Sequence, residues 1–214
     1  MLVGRAAHKT WNPSTDRPAP ATDRQAFVTD RQIDRQVIEA AARIVREGGV
    51  VVHATEGVWG FACDPTNENA VRRVLSIKGR QADKGLIVIG ASSDDFTRQL
   101  AGVDEAHRSR VTESWPGRHT WVLPDADYPD WVTGGHGTLA CRVPDHDQAR
   151  AIVAAVGRPI VSTSANRSGE APVTTHEDAT RQFAGCVDLI VPGEVGSASG
   201  PSVLHGLDGR VLRA

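Results

Sequence analysis

The chain has 214 residues and a mass of 22.8 kDa, is 40% hydrophobic and 23% charged, and carries a formal net charge of −2. Such a composition gives room for one sizeable core and excludes both a disordered chain and a protein held on nucleic acid by overall charge, though a local basic groove is still allowed. Three distant cysteines (Cys63, Cys141, Cys186) form no CxxC pair, which argues against a disulfide framework and for the reducing cytoplasm, and no apolar run is long enough to span a bilayer.

The start of the chain is polar and interrupted by Pro13, Pro18 and Pro20. It reads as a flexible leader over residues 1–28 without a signal-peptide core, ahead of one domain over 29–214. A first helix is expected from a cap at Thr29-Asp30, with Ile33, Val37, Ile38, Ala41, Ile44 and Val45 on its apolar face and Gly48-Gly49 as its stop. "VVVHA" and "VWGFACD" follow as buried-type strands. Asp64-Pro65-Thr66 is expected to break the chain and cap a second helix, with Ala70, Val71, Val74 and Ile77 inward. "GLIVIG" is the third strand, and "SDDFTRQLAG" a short helix with acidic residues in its first turn.

The second half keeps the same rhythm. A helix over Glu105–Ser114 ends at Trp115-Pro116-Gly117; "HTWVL" and "LACRV" are strands, and "HDQARAIVAAVG" is a helix. "PIVSTSAN" is a strand running into a polar loop, "EDATRQFAG" a helix and "VDLIV" a strand, before a terminal hairpin around Leu207-Asp208-Gly209. Helices and strands mixed in this way predict a single α/β domain with a mixed, open sheet.

Ligands in open α/β sheets bind where strands empty into polar loops. Four such places stand out: Ala54-Thr55-Glu56-Gly57, Lys78-Gly79-Arg80, Pro144-Asp145-His146 and Ser162-Thr163-Ser164-Ala165-Asn166. Lys-Gly-Arg offers an ammonium and a guanidinium around a flexible glycine, a good match for carboxylate, carbonate or phosphate. Cations at a helix end also offset its dipole, and spacing alone favours that reading. The Ser/Thr/Asn loop supplies short hydroxyls and an amide that bind phosphate oxygens or metal-bound water; it also reads as an ordinary polar turn.

Other chemistries fit less well. There is no Gly-x-Ser-x-Gly or Ser-x-x-Lys for a hydrolase built on Ser162 or Ser164 with Lys78, and no Walker A loop. Eight histidines show neither HxxxH nor HExxH, and His53, Cys63 and Cys141 are expected as strand residues rather than zinc ligands. Trp115, Trp121 and Trp131 are expected as anchors rather than as a stacking platform, and Arg72 and Arg73 as a solvated helix face.

Taken together, "HATEGVWGFACDPTNENAVRRVLSIKGRQADKGLIVI", "SWPGRHTWVLP", "LACRVPDH", "PIVSTSANRSGEAP" and "VPGEVGSASGPSVL" stand in the order seen in the YrdC-like family of threonylcarbamoyl-AMP synthases, which the chain resembles from about Thr29 to its end. The most specific part is Lys-x-Arg paired with Ser-x-Asn, here Lys78/Arg80 and Ser164/Asn166. The likeness is to the short, single-domain type.

The resemblance implies a twisted α/β sheet with a large, basic concave face. There L-threonine, bicarbonate or CO2 and ATP with Mg²⁺ would give threonylcarbamoyl-AMP and pyrophosphate, for the threonylcarbamoyl modification of adenosine in tRNA. By matching motifs, Lys78 and Arg80 would hold the carbamate and phosphates. Ser164 and Asn166, with Ser162 and Thr163, would bind phosphate and threonine oxygens, and Thr55 would contact threonine. Arg142 and Thr120 would face the nucleotide, and Ser202 the phosphate side. No resident metal site is expected, and a separate transferase complex would carry the product to tRNA. A non-catalytic relative binding double-stranded RNA or tRNA through the same basic face is the alternative; it would not need the Ser/Asn/Thr set. The chain departs from the family where His53-Ala54 replaces the common Tyr-Pro, Gln81 replaces a proline after Lys-x-Arg, and Arg118-His119 interrupts "WPGPxT".

Overall fold

The computed structural model describes residues 35–125 and 127–213. The expected leader, the Thr29-Asp30 cap and Ile33 lie outside the described residues. Helix α1 (Arg35–Arg46) buries Ile38, Ala41, Ala42 and Val45 on one stripe, as its periodicity requires. Strands β1 (Val51–Ala54) and β2 (Trp59–Cys63) are buried at every residue, which is why they read as unbroken apolar runs.

Helix α2 (Glu68–Lys78) corrects one expectation. Its cap is Asn67, whose Oδ1 accepts from the Ala70 N–H at 3.0 Å. Asp64 is already engaged: one carboxylate oxygen accepts from Thr66 N and Oγ1 at 2.9 and 2.8 Å, and the other pairs with Arg158. Next come β3 (Ile87–Ile89), a 3-10 turn over Ser93–Phe96 leading into α3 (Thr97–Ala101), α4 (Glu105–Glu113) and β4 (His119–Pro124). The chain continues through α5 (Asp130–Thr133), β5 (Thr138–Arg142), α6 (Asp147–Val156), β6 (Ile160–Ser164), α7 (His176–Phe183), β7 (Leu189–Ile190) and the hairpin of β8 (Val203–His205) with β9 (Val211–Arg213). Helix α5 and a 3-10 turn over Ala82–Lys84 were not anticipated, because elements of four and three residues are too short to carry a period.

Among the described residues nine strands form one mixed sheet in the order β7-β1-β2-β6-β3-β5-β4-β8-β9. Alternate residues divide between two cores, one on each face. Val52, Phe61, Cys63, Val88, Cys141 and Val161 pack with α2 and α7. Val51, Ala62, Ile89 and Ile160 pack under α1 and α6 on the other face. On that second face α1 and α6 cover β1, β2, β6 and the Ile89 end of β3. The continuation through Ile87, Ala140 and Val122, which pair in register, is left as the floor of an open cavity.

The tryptophans act as anchors: Trp115 Nε1 donates to His119 O at 2.8 Å, Trp121 Nε1 to Ser114 Oγ at 2.8 Å and Trp131 Nε1 to Pro65 O at 3.1 Å. Among the described residues no helix is long and apolar enough to cross a membrane.

Candidate active site

Lys78 is the last residue of α2, and the chain turns immediately after it. Gly79 takes the left-handed conformation (φ 61°) that L side chains avoid. Its N–H bonds Ser76 O at 3.1 Å while Arg80 N bonds Leu75 O at 3.0 Å, the paired closure of a Schellman end. Ile77, expected inward, is half-buried and packs against the core, and the helix buries Lys78 as well, which is 3% exposed. The reason is visible in the helix period: Val71, Val74, Leu75 and Lys78 share one stripe.

The Lys78 ammonium is therefore buried, no carboxylate among the described residues pairs with it, and it donates into the Ser/Asn loop. Its partners are the Ser164 carbonyl, Asn166 Oδ1 at 3.0 Å, Asn166 O at 3.3 Å and, at 3.5 Å, Ser164 Oγ. Ser164 Oγ in turn donates to Asn166 Oδ1 at 2.7 Å, and Ser168 N–H donates to the Lys78 carbonyl at 2.7 Å. Helix end and loop are thus clasped from both sides. Burial, with the charges of Arg80 and Arg213 adding to it, lowers the Lys78 pKa to about 8.

Arg80 lines the cavity beside this clasp, with Lys84, Arg142 and Arg213, and no acidic side chain lines it among the described residues. Arg80 is held by the carbonyls of Gly85 at 2.9 Å and Lys84 at 3.1 Å. Burial and then the Arg213 charge lower its pKa, with Asp83 opposing them. Like charges gathered so closely that Arg80 and Arg213 lower the Lys78 pKa, and Arg213 that of Arg80, mark a place prepared for an anion. Exposed Lys84 stands at the rim, as a solvated lysine would.

Arg142 reaches the cavity from the end of β5. It pairs with Glu56, and the two side chains are 9% and 7% exposed. Arg142 Nε donates to Gly117 O at 2.9 Å, and Glu56 Oε1 accepts from Asp145 N at 2.7 Å. Thr55 is buried, and its hydroxyl donates to Val58 O at 2.7 Å, closing the turn before β2. The segment before β8 crosses that turn, with Gly196 N bonded to Thr55 O at 3.0 Å and Ala198 N to Glu56 O at 3.1 Å. Arg118 secures the same segment through the carbonyls of Ser199 and, at 3.0 Å, Pro201. Ser202 ends it on the cavity wall, accepting from the buried Thr120 hydroxyl at 2.8 Å.

Gly57 makes this crossing possible. A Cβ there would meet the Gly200 carbonyl at 2.2 Å and the Ala198 carbonyl at 2.9 Å, both backbone atoms. We expect Gly57→Ala to cost about 1–3 kcal/mol, as overpacking does, and to raise the KM for substrates as the crossing segment lifts. An unchanged melting temperature and KM would show that the crossing does not shape the site.

Thr55, Arg80, Arg142, Ser162, Thr163, Ser164 and Ser202 thus line one cavity. Lys78 and Asn166 brace its edge, and Thr120 stands one layer back behind Ser202. Arg213 was missed, having no motif around it; its position opposite Arg80 depends on β9 pairing with β8 at the far end of the sheet. Glu56 was noted only as part of a loop; its chemical signal was a lone carboxylate among the cations that gather there. His53, Cys63 and Cys141 form no metal cluster, and no group of three or more His, Cys, Asp or Glu able to hold a metal occurs among the described residues.

Residues 43–214 match the Sua5/YciO/YrdC family model, described as "Telomere recombination". The chain is 42% identical over 178 residues to a threonylcarbamoyl-AMP synthase of Pseudomonas putida strain GB-1, covering 82% of this chain and 96% of that protein. A threonylcarbamoyl-AMP synthase of Nitrosococcus oceani is 42% identical over 174 residues, 81% of this chain and 93% of that one. Among solved structures, P. abyssi Sua5 complexed with L-threonine superposes with a TM-score of 0.75 at 34% identity over 80% of this chain. The match covers 51% of the Sua5 chain, so the present protein spans about half its length. E. coli YciO, at TM-score 0.71 and 22% identity over 84% of this chain and 91% of that one, shares the fold.

Proposed function

The chain belongs to the Sua5/YciO/YrdC family, and from that premise we propose that it is a threonylcarbamoyl-AMP synthase. It joins L-threonine, bicarbonate or CO2 and ATP into threonylcarbamoyl-AMP and pyrophosphate. The single observation that carries this reading is the clasp of Lys78 with Ser164 and Asn166 at the edge of a cavity lined by Arg80, Arg142 and Arg213.

The chemistry asks for that arrangement. The threonine amine loses a proton and adds to CO2, giving a carbamate carboxylate. One carboxylate oxygen then attacks the α-phosphorus of ATP, and the bond to the pyrophosphate oxygen breaks. Two anions must be brought together, so fixed cations serve the reaction better than a protein nucleophile does. Arg80, Arg142 and Arg213 hold charge against the phosphates and the carbamate. Lys78 holds the Ser/Asn loop in place and adds its own charge behind it. Thr55, Ser162 and Ser164 supply polar contacts for the amino acid, while Thr163 and Ser202, backed by Thr120 and Asn166, serve the nucleotide side. Mg²⁺ enters with ATP as part of the substrate and screens the charge of its phosphates.

A separate transferase complex receiving the product for tRNA belongs to the same reading, as does work in the cytoplasm, where the buried free thiols Cys63 and Cys141 stay reduced. The test is pyrophosphate release from ATP with and without L-threonine and bicarbonate. Release should require both; release that ignores threonine would sink the synthase reading.

A further inference from the structure

His53 is fully buried in β1 on the same face as the cavity, and the family motif gives it no role. It pairs in register with Gly60 of β2, and Gly60 pairs with Ser164 of β6. Because Gly60 has no side chain, the imidazole reaches across β2 and meets Ser162. A Cβ at Gly60 would be 3.1 Å from Ser162 Oγ and 3.8 Å from His53 Nε2, in the gap they share. His53 Nδ1 lies 3.1 Å from Ala54 O, and Nε2 lies 3.2 Å from Ser162 Oγ.

These two contacts fix where the protons are. A carbonyl oxygen only accepts, so Nδ1 carries the hydrogen and donates it to Ala54 O. The ring is neutral at pH 7, because burial first and the nearby His146 next lower its pKa to about 4. A neutral imidazole has one N–H, so Nε2 is bare and accepts the Ser162 hydroxyl proton. Ser162 is itself on the cavity wall.

We propose that His53 is a positioning residue that turns the Ser162 proton away from the cavity, so that Ser162 offers the ligand only lone pairs. Such an oxygen selects a hydrogen-bond donor over a phosphate oxygen. Within the synthase reading, on which this inference rests, that donor is the amino or hydroxyl group of threonine, and Ser162 belongs to the amino-acid side of the site. The departure from the common Tyr at position 53 then has a consequence: it fixes the polarity of a neighbouring serine.

The test needs no turnover. Nitrogen-15 NMR of the full chain at pH 7 should show His53 protonated at Nδ1 and bare at Nε2, and a proton on Nε2 overturns the proposal whatever any variant does. In calorimetric titrations, Ser162→Ala should weaken L-threonine binding about tenfold, the worth of one hydrogen bond, and leave ATP binding within about twofold. A loss on the ATP side, or no loss on either, overturns the proposal. His53→Phe should weaken threonine binding several-fold, and His53→Gln, whose Oε1 can take the serine proton, should restore most of it; equal losses in both would mean that His53 only fills space. If these results hold while pyrophosphate release fails to depend on threonine, the synthase reading falls alone. If release depends on threonine but Nε2 carries the proton, only the present inference falls.

Discussion

Lys78→Ala is expected to lower threonine-dependent pyrophosphate release by about 100-fold or more, corresponding to roughly 2–4 kcal/mol of lost transition-state stabilisation. The reason is twofold. The Lys78 ammonium holds the Ser164 carbonyl and Asn166 Oδ1 from behind, so its loss frees the loop that faces the substrates. It also removes a charge from a cluster in which Arg80 and Arg213 already act against the Lys78 ammonium. The free protein's Lys78, with its pKa lowered to about 8, is mostly charged at pH 7 and mostly neutral at pH 9. Anion affinity should therefore fall as pH rises through that range. A bound anion favours the ammonium and pulls the pKa back up, so ATP binding at pH 8 should take up protons, and Lys78→Met should abolish that uptake. Titration in buffers of different ionisation enthalpy reads the proton count directly. Near-wild-type turnover in Lys78→Ala would remove Lys78 from the site.

Glu56→Ala should be the most destabilising single change in the site, by about 3–5 kcal/mol, because it leaves a buried cation without its counter-charge. Among the described residues Arg142 would keep the Gly117 carbonyl at 2.9 Å, and the Asp145 N–H would lose the Glu56 carboxylate as acceptor. For a chain of this size that loss lowers the melting temperature by roughly 10 °C. Replacing both partners, Glu56→Gln with Arg142→Met, should recover a large part of the stability without recovering activity, since no lone charge then remains buried. A melting temperature within a degree or two of wild type for Glu56→Ala would mean that Arg142 is solvated in solution and that the pair is not what holds it.

Several elements of the fold were legible because local chemistry and tertiary structure agree on them. The fully buried β1 and β2 came through as unbroken apolar runs, and α1 and α6 as apolar stripes closed by glycine. The misplaced start of α2 shows the limit of local signals. Asp64, Thr66 and Asn67 are all good cap residues by type; Asp64 is taken up by Thr66 beside it and by Arg158 from 94 positions away, and the cap falls to Asn67. The depth of Lys78 was present in the helix period but hidden by its charge: a lysine at the end of an apolar stripe reads as a frayed, solvated terminus until an acceptor-rich loop is known to lie against it.

By itself the sequence determined the longer helices and the strands, though not α5, together with the family resemblance and the chemical types gathered at the strand ends, because these depend on neighbours a few residues apart. The order of the nine strands was decided only in three dimensions, and with it which face stays open once α1 and α6 have covered their side. The same holds for the meeting of Arg213 with Arg80, the enclosure of Arg142 by Glu56 and the bond from His53 across Gly60 to Ser162. Each joins segments far apart in the chain, which local sequence signals do not connect. Lys-Gly-Arg could be read as a helix end or as an anion site from spacing. Packing shows that the last turn of α2 is both: a helix end whose final lysine is buried against the loop that completes the cavity.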